Sequence, residues 1–231
     1  MEYHYLSEDE KLQKTITEFL ISHGAGQVGF GKAQENPFSL GYVISYTIPL
    51  SNSIVDGIDN APTHTYFHHY RSINALIDHL SLRVGLMLGK NGYNYAPVPA
   101  SQSVNGMQGI YSHKRAAVDS GLGTIGKSSL FISDRNGPRV RLGTILTDFP
   151  FEVYENHAES KCGECRICTT ACPAMAITGR EWTPNSPRED IIDAKACSDY
   201  MKRAFQHIGR GAVCGICMRV CPYGIKDNQN I

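Results

Sequence analysis

Leu12, Ile16, Phe19 and Leu20 recur at the spacing of one helix face, so residues 7–22 are expected to form an amphipathic helix. Ser7 with Glu10 three positions on is the capping-box arrangement, and Gly24 stops the run. Gly41 to Leu50, GYVISYTIPL, is β-rich and apolar, which predicts a buried strand ended by Pro49. A longer helical pattern runs from Thr65 to Gly89 through Ile73, Leu76, Ile77, Leu80, Val84 and Met87. Residues 93–110, rich in Pro, Gly and Ser, read as a long loop of the kind that often carries function. A short helix is expected around Ser112 to Ser120, followed by the glycine-rich Gly121 to Lys127. Leu130 to Ile132 and Arg139 to Thr147 then read as a hairpin turned by Asn136-Gly137.

Strands interleaved with helices ahead of a separate tail predict an α+β fold in two domains, residues 1–154 and 155–231. The division follows the cysteines, because residues 1–161 contain none and the last seventy contain all eight. Lys plus Arg and Asp plus Glu are 22 each, so no basic field draws the chain to nucleic acid or an anionic membrane. The start, MEYHYLSEDEK, lacks a basic region followed by an apolar one, and no apolar stretch reaches the length of a membrane span. A cytoplasmic protein of an oxygen-poor setting is the expectation.

The cysteines form two runs that each end in Cys-Pro. The first is Cys162-x2-Cys165-x2-Cys168-x3-Cys172-Pro173; the second is Cys214-x2-Cys217-x3-Cys221-Pro222, with Cys197 upstream. The first is the bacterial ferredoxin run, in which the fourth Cys reaches into the other of two clusters. Eight thiolates then supply two [4Fe–4S] clusters with none left over. Cys162, Cys165, Cys168 and Cys221 would hold one; Cys172, Cys197, Cys214 and Cys217 the other. Structural zinc is the rival, since paired Cys-x2-Cys spacings are also zinc knuckles. Zinc calls for neither the third Cys two residues on nor the Cys-x3-Cys-Pro ending. A disulfide scaffold fits a chain of this size poorly.

Gly121-Leu122-Gly123-Thr124-Ile125-Gly126-Lys127-Ser128 satisfies both G-x-G-x-x-G and G-x-x-x-x-G-K-S. Both motifs need a buried strand leading in and a helix leading out. Here the lead-in, SHKRAAVDS, reads as helix and the exit, SLFI, as strand, so the order is inverted. The glycines still imply that backbone comes close to something, a ligand or another segment.

With this glycine segment, Leu146-Thr147-Asp148 and the cysteine tail, the chain resembles the epoxyqueuosine reductase family and the related reductive dehalogenases. Ile192-Asp193-Ala194-Lys195-Ala196-Cys197 stands where that family has an LDA-x2-Cys segment, and the match is good over residues 110–224. The resemblance implies a nitroreductase-like three-layer domain followed by a ferredoxin-like 2[4Fe–4S] domain. It also implies cobalamin, for which Ser101, Ser103, Gly121, Gly123, Gly126, Lys127 and Ser128 are the binding candidates. Electrons would pass from an external ferredoxin or flavodoxin through both clusters to cobalt, the chemistry being the cofactor's own.

The departures point elsewhere. Family members that modify tRNA carry an acidic proton donor before the glycine loop, and Val104-Asn105-Gly106-Met107-Gln108-Gly109-Ile110 has none. They also carry a helical-repeat extension after the second cysteine run, where this sequence ends at Ile231. Tyr111, beside His113 and Lys114, is the replacement acid, a phenol whose pKa nearby cations would lower. A small-molecule substrate is therefore expected, with nucleic acid disfavoured. Lys195, Lys202, Arg203 and Arg210 would form the face that docks the electron donor. Three alternatives stay open: an electron-transfer protein without its own substrate, an activator that reduces cobalt in another protein, and an epoxyqueuosine reductase acting on tRNA.

Overall fold

Ser7 opens the first helix, α1 (Glu8–Ser22), as its side chain accepts from the Glu10 N–H while the Glu10 carboxylate accepts from the Ser7 N–H. The expected capping box is formed. The structure, a computed structural model, describes residues 7–104, 106–153, 159–209 and 213–224. After α1 come β1 (Gln27–Lys32), β2 (Tyr42–Pro49), α2 (Asn52–Asp56), α3 (His64–Lys90), β3 (Tyr95–Val98), α4 (His113–Asp119), β4 (Gly123–Ile125), β5 (Phe131–Ser133) and β6 (Val140–Thr147). The cysteine-rich part adds α5 (Ile167–Ala171), α6 (Arg188–Ile191), α7 (Ala194–Gly209), α8 (Ile216–Arg219) and a 3-10 turn, Pro222–Gly224. None of the described helices is long and apolar enough to cross a membrane.

Contacts divide the chain into two compact units that interleave in sequence. One comprises the residues up to Ile48, Ala75–Leu122 and the stretch beginning at Leu142. The other comprises Pro49–Asn74, Gly123–Arg141 and the cysteine-rich stretch. This differs from the linear division expected at residues 154 and 155, which themselves lie among or beside residues outside the described ones. The reason is hydrophobic. Leu50, Val55, Ile58 and Tyr66 bury themselves in one cluster with Phe205, Val213, Ile216 and Met218.

In the first unit four strands form a sheet in the order β1-β2-β6-β3, with β1–β2 and β3–β6 antiparallel. The Tyr46 hydroxyl of β2 reaches Ile77 O and Ser81 Oγ of α3, each at 2.9 Å. Gly143 of β6 leaves room for that ring, since a Cβ there would stand 2.1 Å from Tyr46 Cζ. Fully buried aliphatics such as Ile44, Leu80 and Ile145 each contribute about 1.5–3 kcal/mol.

Three elements differ from the sequence pattern. β1 lies in QVGFGK, whose glycines hid a strand. A Cβ at Gly29 would meet Ser120 O at 2.2 Å, and one at Gly31 would meet Asp119 O at 2.4 Å. β3 falls inside the expected loop. Pro97 is tolerated because β3 is an edge strand, where one missing N–H costs no central ladder bond. The expected hairpin is also re-paired. β5 joins β4, with Ile125 opposite Phe131, while β6 enters the larger sheet. Asn136-Gly137 closes only a local bridge between Ser133 and Gly137. Seven of the eight β6 residues are buried, a pattern that suits a central strand better than one arm of a surface hairpin.

In the second unit the buried Arg139 donates to Asn52 Oδ1 at 3.0 Å and to Asp56 Oδ1 at 2.7 Å. That bond holds the Asp56 carboxyl below its ordinary 3.8. A carboxylate lowered on folding stabilises the fold fully above its unfolded value and loses that contribution as pH falls through the folded one. Asp56→Asn is expected to cost about 0.5 kcal/mol at pH 7, since the carboxylate is half exposed and screened by solvent, which at this chain length is a thermal midpoint lower by about 1–2 °C. The gap to wild type should close as the pH is taken below about 4. Circular dichroism melts at several pH values check this; a gap independent of pH would show that charge plays no part.

Candidate functional site

The second unit gathers the eight cysteines, all partly buried, into two groups. Cys162 and Cys165 lie on the loop before α5, Cys168 is on α5, and Cys221 follows α8. Burial, and after it the neighbouring thiols of Cys162, Cys168 and Cys165, push the Cys221 thiol up to about 11. Burial first, then Cys162 and Cys165, likewise raise Cys168. The other group has Cys172 after α5, Cys197 on α7, Cys214 on the loop before α8 and Cys217 on α8. Burial, with Cys197 and Cys172 beyond it, pushes Cys214 up to about 11. Burial again raises Cys217, helped by Cys214, Cys197 and Cys172 and by Cys168 of the first group. Cys197 is raised by burial and by Cys172.

The four thiols of the second group line one cavity. Its other walls are mainly apolar, among them Ile177, Ile192, Tyr200, Met201 and Ile216. No three His, Cys, Asp or Glu among the described residues stand close enough together to hold a single metal ion. A tetrahedral zinc site would need that close convergence of ligands. Thiols spread around a cavity instead suit the corners of a polynuclear cluster. Its metal charge would offset the burial that otherwise keeps them protonated. The residues present therefore fit the two clusters.

The glycine segment is built against the first group. The Lys127 N–H donates to Cys162 Sγ at 3.4 Å. A Cβ at Gly126 would stand 3.2 Å from that sulfur and 2.5 Å from Ile132 Cδ1. Gly126 N–H is taken by Leu130 O and Ser129 N–H by Gly126 O. Lys127 Nζ bonds Gly163 O, between two of the cysteines, and lies 3.9 Å from Glu181. A phosphate-cradling loop leaves successive N–H groups for its ligand; here the chain itself uses them. α4 precedes the loop and β4 lies within it, the inverted order that the sequence indicated.

The residues proposed for cobalamin differ in their surroundings. Ser101 and Ser103 are exposed, whereas Lys127 and Ser128 are buried and Gly126 packs on Cys162. Gly123, at φ 150°, would carry a Cβ 2.2 Å from Ile132 O. Gly121, at φ 71°, closes the turn after α4 through Gly121 N–H to Val118 O. Glycine at positions 123 and 126 answers to neighbouring protein.

The expected lowering of the Tyr111 pKa is corrected. Tyr111 is 9% exposed within a cluster that includes Leu40, Val43 and Leu146, and its hydroxyl accepts the Gln34 N–H at 2.8 Å. Burial raises its pKa, opposite to the expected lowering by cations. His113 bonds Thr144 Oγ1 at 2.8 Å and Pro99 O at 2.9 Å, both within the first unit. Lys114 is partly buried on α4. Of the proposed basic face, Lys195 pairs with Asp199 at 2.5 Å, Lys202 and Arg203 are exposed, and Arg210 lies outside the described residues. Sequence reasoning missed the Lys127–Cys162 contact and the cavity walls on α7. Only the close-approach signal of the glycines hinted at the former.

Two groups of four thiols in one small unit define a double-cluster iron–sulfur protein. Residues 161–224 match the family model of the 4Fe-4S double cluster binding domain. The chain is related to the epoxyqueuosine reductases and the reductive dehalogenases. It is 32% identical over 117 residues to the epoxyqueuosine reductase of Vibrio cholerae, covering 46% of this chain and 29% of that one. A solved epoxyqueuosine reductase with an epoxyqueuosine-modified tRNA stem loop superposes with a TM-score of 0.64 at 17% identity, over 94% of this chain and 66% of that one. A reductive dehalogenase described for B12-dependent dehalogenation superposes at 0.77 with 19% identity, over 99% of this chain and 34% of that one. The chain spans about a third of the length of the curated relatives it matches.

Proposed function

We propose that this chain is an iron–sulfur oxidoreductase of the epoxyqueuosine reductase type, with tRNA carrying its substrate. The convergence of Cys172, Cys197, Cys214 and Cys217 on one mainly apolar cavity carries the redox part of the reading. Identity of about 30% to several curated epoxyqueuosine reductases supports the substrate. That support outweighs the small-molecule substrate and the disfavouring of nucleic acid, which rested on the missing acid before the glycine loop, the helical-repeat extension of the tRNA-modifying members and the even charge balance. An even charge balance does not prevent a local basic surface from gripping phosphates.

Cys162, Cys165, Cys168 and Cys221 would hold one cluster and Cys172, Cys197, Cys214 and Cys217 the other. Bound there, such clusters supply one-electron transfer at low potential. The chain's own residues do the rest. Ile177, Ile192, Tyr200 and Met201 shield the second group from water, and the Lys127 N–H orients Cys162. Cys168 on α5 and Cys172 just after it belong to different groups, as do Cys217 on α8 and Cys221 just after it, which supports a short path for handing an electron on. A ferredoxin or flavodoxin donor, cobalamin as the acceptor and a nitroreductase-like layering of the first unit belong to this same reading. Cobalamin is supported by the B12-dependent neighbour.

The test is single-turnover reduction of epoxyqueuosine in a tRNA stem loop by the anaerobically purified, chemically reduced protein, with and without added cobalamin. Nucleoside analysis should show queuosine. Cluster-replete protein that leaves epoxyqueuosine intact under both conditions would overturn the substrate, and dehalogenation of a haloalkene in a parallel assay would replace it.

A further inference from the structure

The Lys127 ammonium, unlike its backbone N–H, belongs to no step so far described, yet the residue is 5% exposed, and burying an ammonium group is costly unless something nearby compensates it. Its partners explain its place only in part. Nζ holds Gly163 O, in the turn between Cys162 and Cys165, and the nearest carboxylate among the described residues, Glu181, is 3.9 Å away and 45% exposed. Its own backbone N–H meanwhile points at Cys162 Sγ. Cation and N–H thus come from one residue, and the N–H and the Gly163 contact both fall on the loop that bears Cys162.

We propose that Lys127 sets the reduction potential of the cluster held by Cys162, Cys165, Cys168 and Cys221. This rests on the reading that those four thiolates hold a [4Fe–4S] cluster. On reduction the cluster takes up one electron from its donor and gains one negative charge, and no bond to the protein is made or broken. A buried positive charge and an N–H···S bond both favour the more anionic form, which raises the potential. In the partly buried interior the charge is poorly screened by salt. Glu181 opposes it. Lys127 therefore makes this cluster easier to reduce than it would otherwise be, which biases where an incoming electron rests.

The experiment is an EPR-monitored potentiometric titration of the full chain, wild type against Lys127→Met and Glu181→Gln, each with iron and sulfide analysis. In Lys127→Met one of the two couples should fall by about a decade in its reduced-to-oxidised ratio at a set potential, about 59 mV for a one-electron couple. In Glu181→Gln the same couple should rise, by less, and the other couple should stay in place in both variants. Two intact couples with unmoved midpoints would overturn the proposal while leaving the cluster assignment standing. Wild-type protein without iron would bring down that assignment itself. Should Lys127→Met lose the cluster, Lys127→Gln decides instead, since an amide can still donate to Gly163 O without the charge: a lowered midpoint sustains the proposal and an unmoved one ends it.

Discussion

Cys221→Ala is expected to abolish the cluster anchored far upstream by Cys162, Cys165 and Cys168, leaving the other intact. Iron should fall from about eight to about four per chain, with one of two EPR signals lost. The expectation comes from the partnership across the second unit, where Cys221 feels the thiols of Cys162, Cys168 and Cys165. Cys172, next in sequence to that run, instead lines the cavity with Cys197, Cys214 and Cys217. Cys172→Ala should therefore remove the opposite signal from Cys221→Ala, and Cys197→Ala the same one as Cys172→Ala. If each run served its own cluster, Cys172→Ala would remove the signal of Cys162, and the crossed arrangement would be wrong. Loss of both signals in every variant would mean that the cysteine-rich part folds as one unit around its metal, binding energy and folding energy being shared.

Gly126→Val should be almost as damaging, for a steric reason. The first added carbon already stands 2.5 Å from Ile132 Cδ1 and 3.2 Å from Cys162 Sγ, and two further methyls have nowhere to go. Overpacking of this kind costs about 1–3 kcal/mol. Here the strain falls on the loop that aims the Lys127 N–H at Cys162. The signal of the first cluster should weaken or vanish on purification while the second persists, with iron nearer four than eight per chain. A bulky side chain at Gly123 is expected to act differently, by splitting β4 from β5, because its Cβ would strike Ile132 O. Full iron content in Gly126→Val would show that the loop yields and that the glycine is not required by Cys162.

Much of this was legible along the chain. Two long helices, the strand at Gly41 to Leu50 and the capping box depend on neighbours within a few residues, and local patterns report local forces. The cysteine spacing likewise indicated two clusters, because the ferredoxin run compresses three ligands into a few residues. The inverted order around the glycine segment was enough to set aside a phosphate loop.

Tertiary structure alone decided the partners of groups distant in sequence. β6 leaves its expected hairpin because its residues are buried nearly throughout and fit a sheet interior. Tyr111, read as a proton donor beside two cations, becomes a buried hydroxyl on the Gln34 backbone, since only packing sets how far a phenol is removed from water. Residues 49–74 and 123–141 belong with the cysteine-rich part through a shared apolar cluster that no single stretch of sequence displays. Lys127 is the sharpest case: its residue type and motif suggested a ligand's phosphate or a corrinoid, while its position against Cys162 followed from the fold. Sequence carries the identity of such a charge; burial and neighbours decide which group feels it.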